Sequence, residues 1–190
     1  MNKKIFYFDV ESSGLDSKRN DILSLAYLIE INKEIVETGE LFMQPFNYNT
    51  INAKALEVNK LSIAQIKEFP TPQETHIELV KLFDRHIDKF NKNDKFISCG
   101  YNVRFDVAFL SEFFLKNNHK YLFSYIDHHQ LDVFNLLYIL DYKGILNLES
   151  YKLENVAKYF GIEHAAHNSL SDIKVTREIF YKLLEFFKEK

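Results

Sequence analysis

The chain has 190 residues, 46% of them hydrophobic and 15% aromatic, with a formal net charge of −3 at neutral pH. That is enough apolar material for one domain with a sizeable core, and the slight acidity excludes a protein that coats duplex nucleic acid through a general basic surface. The single cysteine, Cys99, excludes an internal disulfide and a cysteine-rich zinc site.

In chain order, residues 3–10 (K-K-I-F-Y-F-D-V) form a compact β-type run, and 21–31 and 34–44 read as two more strands with Asn32-Lys33 as a hairpin turn between them. Ser62 and Gln65 predict a capping box for a short helix. Thr71-Pro72-Gln73-Glu74 is a stronger helix start, with Thr as N-cap, Pro at the first helical position and Glu at the third. Residues 95–101 predict a short strand, and Asn102 or Val103 opens a helix through Phe114. Residues 132–141 and 151–160 read as helices, the second ended by Gly161. Ser169-x-x-Asp172 caps a last helix to about residue 187. Three strands followed by helices interleaved with one or two further strands predict a mixed sheet covered by helices, class α/β, in one domain over 1–190. No stretch is long and apolar enough for a membrane span and no basic-then-apolar leader opens the chain, so a cytosolic protein with no membrane partner is expected.

Chemistry-bearing residues fall at three places. Asp9 and Glu11, in F-D-V-E-S-S-G, are two apart on a strand and point to the same side. Two such carboxylates repel unless cations lie between them, although D-x-E alone is explained as readily by a solvated strand end. Ser12-Ser13-Gly14 breaks the strand and leaves the pair at its C-terminal end, where open α/β sheets place sites. Asp106 starts a helix, a favourable place for any acid, but its neighbours Phe105, Val107, Phe109 and Leu110 predict burial and a need for a partner. His167 and Asp172 close the series in H-N-S-L-S-D. A capping acid and a loop histidine account for them singly. Together the four acids and one histidine are suited to phosphodiester hydrolysis with two divalent metals. All-oxygen ligands favour Mg²⁺ or Mn²⁺, and a histidine with an unperturbed pKa near about 6.5 suits a general base.

These motifs resemble those of the DEDDh, or DnaQ-like, exonucleases, the family that includes the proofreading epsilon subunit of bacterial DNA polymerase III. F-D-V-E-S-S-G-L, G-Y-N-V-R-F-D-V-A-F-L and H-N-S-L-S-D-I-K-V-T stand in the family's order. A sister branch has Tyr-x3-Asp in the last motif, where this chain has Asn168. The resemblance implies an RNase H-like fold, a five-stranded mixed sheet flanked by helices. It implies 3′→5′ hydrolysis of a nucleic-acid end, with Asp9, Glu11, Asp106 and Asp172 as metal ligands and His167 as base. Ser12, Ser13, Gly14, Leu15, Asn102 and Phe105 correspond to strand-binding positions, with Leu15 as an apolar wedge against the terminal base. The stretch A-L-E-V-N-K-L-S (55–62) resembles the family's helix-turn on the terminal nucleotide, with Asn59-Lys60-Leu61 where the family has H-G-I. The expected substrate is single-stranded or frayed DNA, with RNA 3′-end trimming as the alternative and a non-catalytic binding module as the rival. The candidate protein partners are a DNA polymerase or a second copy of the chain, with action alone as the alternative. Gln130-Leu131-Asp132-Val133-Phe134 looks like a sliding-clamp peptide but falls in a strand-to-helix passage, and His164-x-x-His167 is a weak metal spacing.

Overall fold

The computed structural model describes residues 3–164 and 168–187. Strands β1 (Lys4–Ser12), β2 (Ile22–Ile31) and β3 (Glu34–Phe42) make an antiparallel meander. Its second hairpin turns at Asn32 and Lys33, both with positive φ (53° and 74°), the conformation of a two-residue turn whose twist matches the strands. Helices α1 (Ala53–Asn59), α2 (Ile63–Lys67) and α3 (Pro72–His86) follow. Both expected capping boxes, Ser62 with Gln65 and Thr71 with Glu74, are present. Then come β4 (Phe96–Gly100), α4 (Val103–Lys116), β5 (Ile126–Asp132), α5 (Val133–Tyr142), α6 (Leu153–Tyr159) and α7 (Ser169–Glu185).

The sheet has the order β3-β2-β1-β4-β5, with β4 parallel to β1 and β5 parallel to β4. β1 lies at its centre with helices on both sides, which is why it reads as an unbroken apolar run rather than an alternating one. Phe6, Phe8 and Val10 face the core that includes Phe83, Val107 and Leu110, from α3 and α4. Ile5 and Tyr7 face the opposite core, with Leu137, Val156, Ile173 and Ile179 from α5, α6 and α7. Period two then carries Asp9 and Glu11 onto the face covered by α7.

One open expectation is filled in and one changes. β5 is a complete edge strand with a polar stretch, Asp127-His128-His129-Gln130, because one long side of it has no neighbour in the sheet. The N-cap of α7 is Asn168, whose side chain accepts from Ser171 N at 2.9 Å, not Ser169. Ser169 is the first helical residue, and its hydroxyl is used elsewhere. The clamp-like peptide is not available for docking, since Leu131 packs against a core and Val133 is fully buried. No helix among the described residues is long and apolar enough to cross a membrane.

Candidate active site

The expected acids meet at the C-terminal end of β1, brought there by three separate segments. Glu11 is the last β1 residue before a break in register with β2, between Glu11 and Ser12. The chain then turns sharply. Ser12 Oγ donates to Gly14 O at 2.6 Å, and Ser13 Oγ accepts from Asp21 N at 2.8 Å. A Cβ on Gly14 would lie 2.5 Å from the Asn20 side chain, which is itself tied to Thr50 O, so only glycine lets the loop close. Ser13 is fully buried and its hydroxyl holds this turn together. Lys116 braces the same loop from α4, reaching the buried Asp21 at 2.7 Å.

Asp106 comes from the opposite face of the sheet. It is 4% exposed, and its Oδ1 accepts the backbone N–H of Val10, between Asp9 and Glu11, at 3.0 Å. Burial pushes its carboxyl well above the usual carboxylate range, and the charge on Asp9 adds to this, against the opposing pull of the Val10 N–H. Asp172 lies in the first turn of α7 and faces the cavity that Asp9 also lines. Asp9 is half-buried. Withdrawal from water, followed by the negative charges of Glu11, Asp172 and Glu40, pushes its pKa up to about 7. Glu11 accepts the Ser169 hydroxyl at 3.2 Å, and Asp172 Oδ1 hydrogen-bonds to His164 Nε2.

The site therefore gathers four carboxylates at one strand end, two of them, Asp9 and Asp106, held above the usual carboxylate range. Among the described residues no three His, Cys, Asp or Glu side chains stand arranged as a ready metal cage. The reason is visible in the partners: Asp106, Asp172 and Glu11 are each turned to a hydrogen-bond donor, as mutually repelling carboxylates should be. The all-oxygen donor set and the elevated Asp9 both fit a divalent cation. His167 lies outside the described residues.

Beside the acids runs a cleft of about 320 Å³. It is lined by Glu11, Ser12, Gly14, Leu15, Asn59 and Phe105, all expected from the sequence, by Val58 from the expected 55–62 stretch, and by Lys54, which was not expected. Leu15 is 86% and Val58 62% exposed, an unusual outlay of aliphatic surface on facing sides of a cleft. Asn59 donates to Ser12 O at 3.0 Å and Asn52 N to Ser13 O at 2.8 Å, so α1 is pinned to the Ser12–Gly14 turn. After α1, Lys60 takes the left-handed conformation (φ 55°), which glycine adopts most readily. Asn102, exposed and also left-handed (φ 64°), is held by its N–H to Asp132 Oδ1 at 3.0 Å. It opens a different groove, with Arg104 and His128. Asp132 also caps α5, so it joins the ends of β4 and β5 at the start of two helices.

Comparison with known proteins matches residues 6–180 to the family model RNase_T, described as Exonuclease. A PolC-type DNA polymerase III from Caldanaerobacter subterraneus subsp. tengcongensis is 28% identical over 184 residues, covering 96% of this chain and 12% of that polymerase. A product-bound exonuclease I superposes with a TM-score of 0.78 at 18% identity, over 98% of this chain and 44% of the other. The zinc-bound complex of E. coli exonuclease I with single-stranded DNA gives 0.78 at 19% identity, over 99% and 41%. The likeness to exonuclease I establishes the RNase H-like fold, and the chain spans less than half the length of each of these proteins.

Proposed function

Since this chain belongs to the RNase_T exonuclease family, with the mixed five-stranded sheet of DnaQ-like 3′→5′ exonucleases, we propose that it shortens single-stranded or frayed DNA from the 3′ end, releasing nucleoside monophosphates in a reaction that needs divalent metal. The observation that carries this reading is the convergence of Asp9, Glu11, Asp106 and Asp172 at one strand end, where burial first, and then the charges of Glu11 and Asp172, raise the Asp9 pKa to about 7. These four residues are the assigned ligands for two Mg²⁺ or Mn²⁺ ions. Such ions supply Lewis acidity, activating water and stabilising the leaving oxygen.

The chain's own residues do the rest. The cleft between Leu15 and Val58 receives the terminal base, with Phe105 at its wall and Lys54 near the strand's phosphates. Apolar contact on a base is indifferent to sequence, as a proofreading or trimming nuclease requires. The turn at Ser12–Gly14, pinned by Asn59 and Asn52, holds that cleft against the acids. His167, five residues before Asp172, is assigned as general base, a role that contributes typically 10²–10⁴-fold.

DNA is favoured over RNA because the PolC-type relative is a DNA polymerase and the E. coli neighbour is a complex with single-stranded DNA. The same relative points to work alongside a polymerase. The experiment is degradation of 5′-labelled linear DNA, the same sequence as RNA, and its circular DNA form. Shortening of linear DNA from the 3′ end, slower shortening of RNA and an intact circle support the proposal. Cutting of the circle would make the protein an endonuclease, and faster loss of RNA would reassign the substrate.

A further inference from the structure

Asp172 does not stand alone at the start of α7. His164, in the connection between α6 and α7, hydrogen-bonds to its Oδ1 through Nε2. A carboxylate can only accept, so Nε2 carries the proton. The His164 side chain is 8% exposed, while Asp172 is 24% exposed. The other ring nitrogen, Nδ1, is buried with no hydrogen-bond partner among the described residues. The approach to His164 is fixed: Gly161 turns with φ 66°, Ile162 N bonds to Ala157 O at 2.9 Å, and Ile162 packs against the core under α7.

Buried polar atoms are normally hydrogen-bonded, and in His164 the ring's one bond goes to Asp172 while Nδ1 has none among the described residues. His164 thus satisfies one nitrogen, and that one is aimed at a proposed metal ligand. It stands outside the family's His-x4-Asp spacing, which His167 fulfils. The cavity beneath, about 130 Å³ and lined by Asp9, Asp172, Tyr101 and Thr176, has both carboxylates on its wall.

We infer that His164 is a positioning residue: its Nε2–H holds one oxygen of Asp172 so that the carboxylate stays turned toward Asp9 in spite of their repulsion. This rests on the reading of Asp172 as a metal ligand. Donors behind a ligating side chain fix its orientation, and their loss typically weakens metal binding 10–100-fold.

The test compares His164→Gln, whose amide can donate from near the Nε2 position, with His164→Leu, which fills the space without a donor. Mn²⁺ binding is measured without nucleic acid, by calorimetry or by the loss of the free-ion electron paramagnetic resonance signal. The Leu variant should bind Mn²⁺ about tenfold more weakly or worse, the Gln variant close to wild type. With saturating Mn²⁺ the Leu variant should recover most of its kcat, with KM for the strand unchanged. Unchanged or tighter binding in the Leu variant overturns the inference, as does a lost kcat that saturating Mn²⁺ does not restore. If either variant fails to fold, the other still decides: a folded Gln variant with Leu-like weak binding in place of near-wild-type binding also overturns it. Wild-type protein that binds no Mn²⁺ overturns the metal assignment itself, which is a different result from wild-type binding that His164 does not influence.

Discussion

Asp106 on α4 and Val10 on β1 are 96 positions apart in the chain, and the carboxylate of the first accepts the backbone N–H of the second at 3.0 Å. This bond ties a buried acid from one face of the sheet to the strand whose other face carries Asp9 and Glu11. It also explains how Asp106 tolerates burial among Phe109, Leu110 and Val107.

Replacing Asp106 separates its structural part from its chemical one. Asp106→Ala leaves a buried N–H unsatisfied and should cost about 1–3 kcal/mol. Asp106→Asn keeps an acceptor and removes a charge that burial disfavours, so in chelator it should equal or exceed wild type. Neither variant should retain turnover. Denaturant titration and an end-labelled degradation assay check the two halves.

The elevated Asp9 makes stability depend on pH in a defined direction. Its folded pKa is about 7, against about 3.9 in an unfolded chain. Between those values the folded state holds a proton that the unfolded state has lost. Stability from this group is therefore complete below about pH 4, falls as pH rises toward 7, and is level above it. The limiting slope is about 1.4 kcal/mol per pH unit. Asp9→Asn should flatten the fall in chelator and leave the variant more stable than wild type above pH 7. Denaturation series from acid to pH 8 on both proteins measure it.

Glu30, in β2 between β1 and β3, is 2% exposed beneath α7, where Arg177 Nε reaches it at 2.5 Å and the Tyr181 hydroxyl donates to it. Arg177→Met strands that charge and should cost about 3–5 kcal/mol. Removing both partners, Glu30→Leu with Arg177→Met, should recover most of the loss. Because α7 carries Asp172, the single variant should also lose activity below its melting temperature. A double-mutant cycle on thermal and denaturant stability checks this.

The two exposed aliphatics of the cleft allow a cleaner separation of binding from folding. Leu15→Ala and Val58→Ala should each leave stability within about 0.5 kcal/mol of wild type. If the terminal base covers Leu15, the lost contact is about 1.5–3 kcal/mol. That amounts to a roughly tenfold or larger rise in KM with kcat retained, the pattern of lost uniform binding. Steady-state kinetics on single-stranded DNA read it directly.

Much of this was legible in the chain because the relevant physics is local. The period of two placed Asp9 and Glu11 on one side of β1, and capping chemistry placed the starts of α2 and α3. Apolar neighbours announced the burial of Asp106. What escaped depends on contacts between distant segments. β5 hides behind His128 and His129 because an edge strand need not be apolar. Ser169 fits an N-cap pattern, but tertiary contact with Glu11 takes its hydroxyl and leaves the cap to Asn168. Lys54 belongs to the cleft only because Asn52 and Asn59 dock α1 on the Ser12–Gly14 turn. His164 stands out only in the weak His164-x-x-His167 spacing, and its bond to Asp172 emerges only from the turn at Gly161.

The most direct test of the central claim pairs metal dependence with one carboxylate. Wild-type protein and Asp9→Asn are given 5′-labelled single-stranded DNA with Mg²⁺, Mn²⁺ or EDTA. The account predicts a ladder shortening from the 3′ end with release of nucleoside monophosphates for wild type with metal, and an intact strand for wild type in EDTA and for Asp9→Asn throughout. Equal degradation by Asp9→Asn, or by wild type in EDTA, would contradict it.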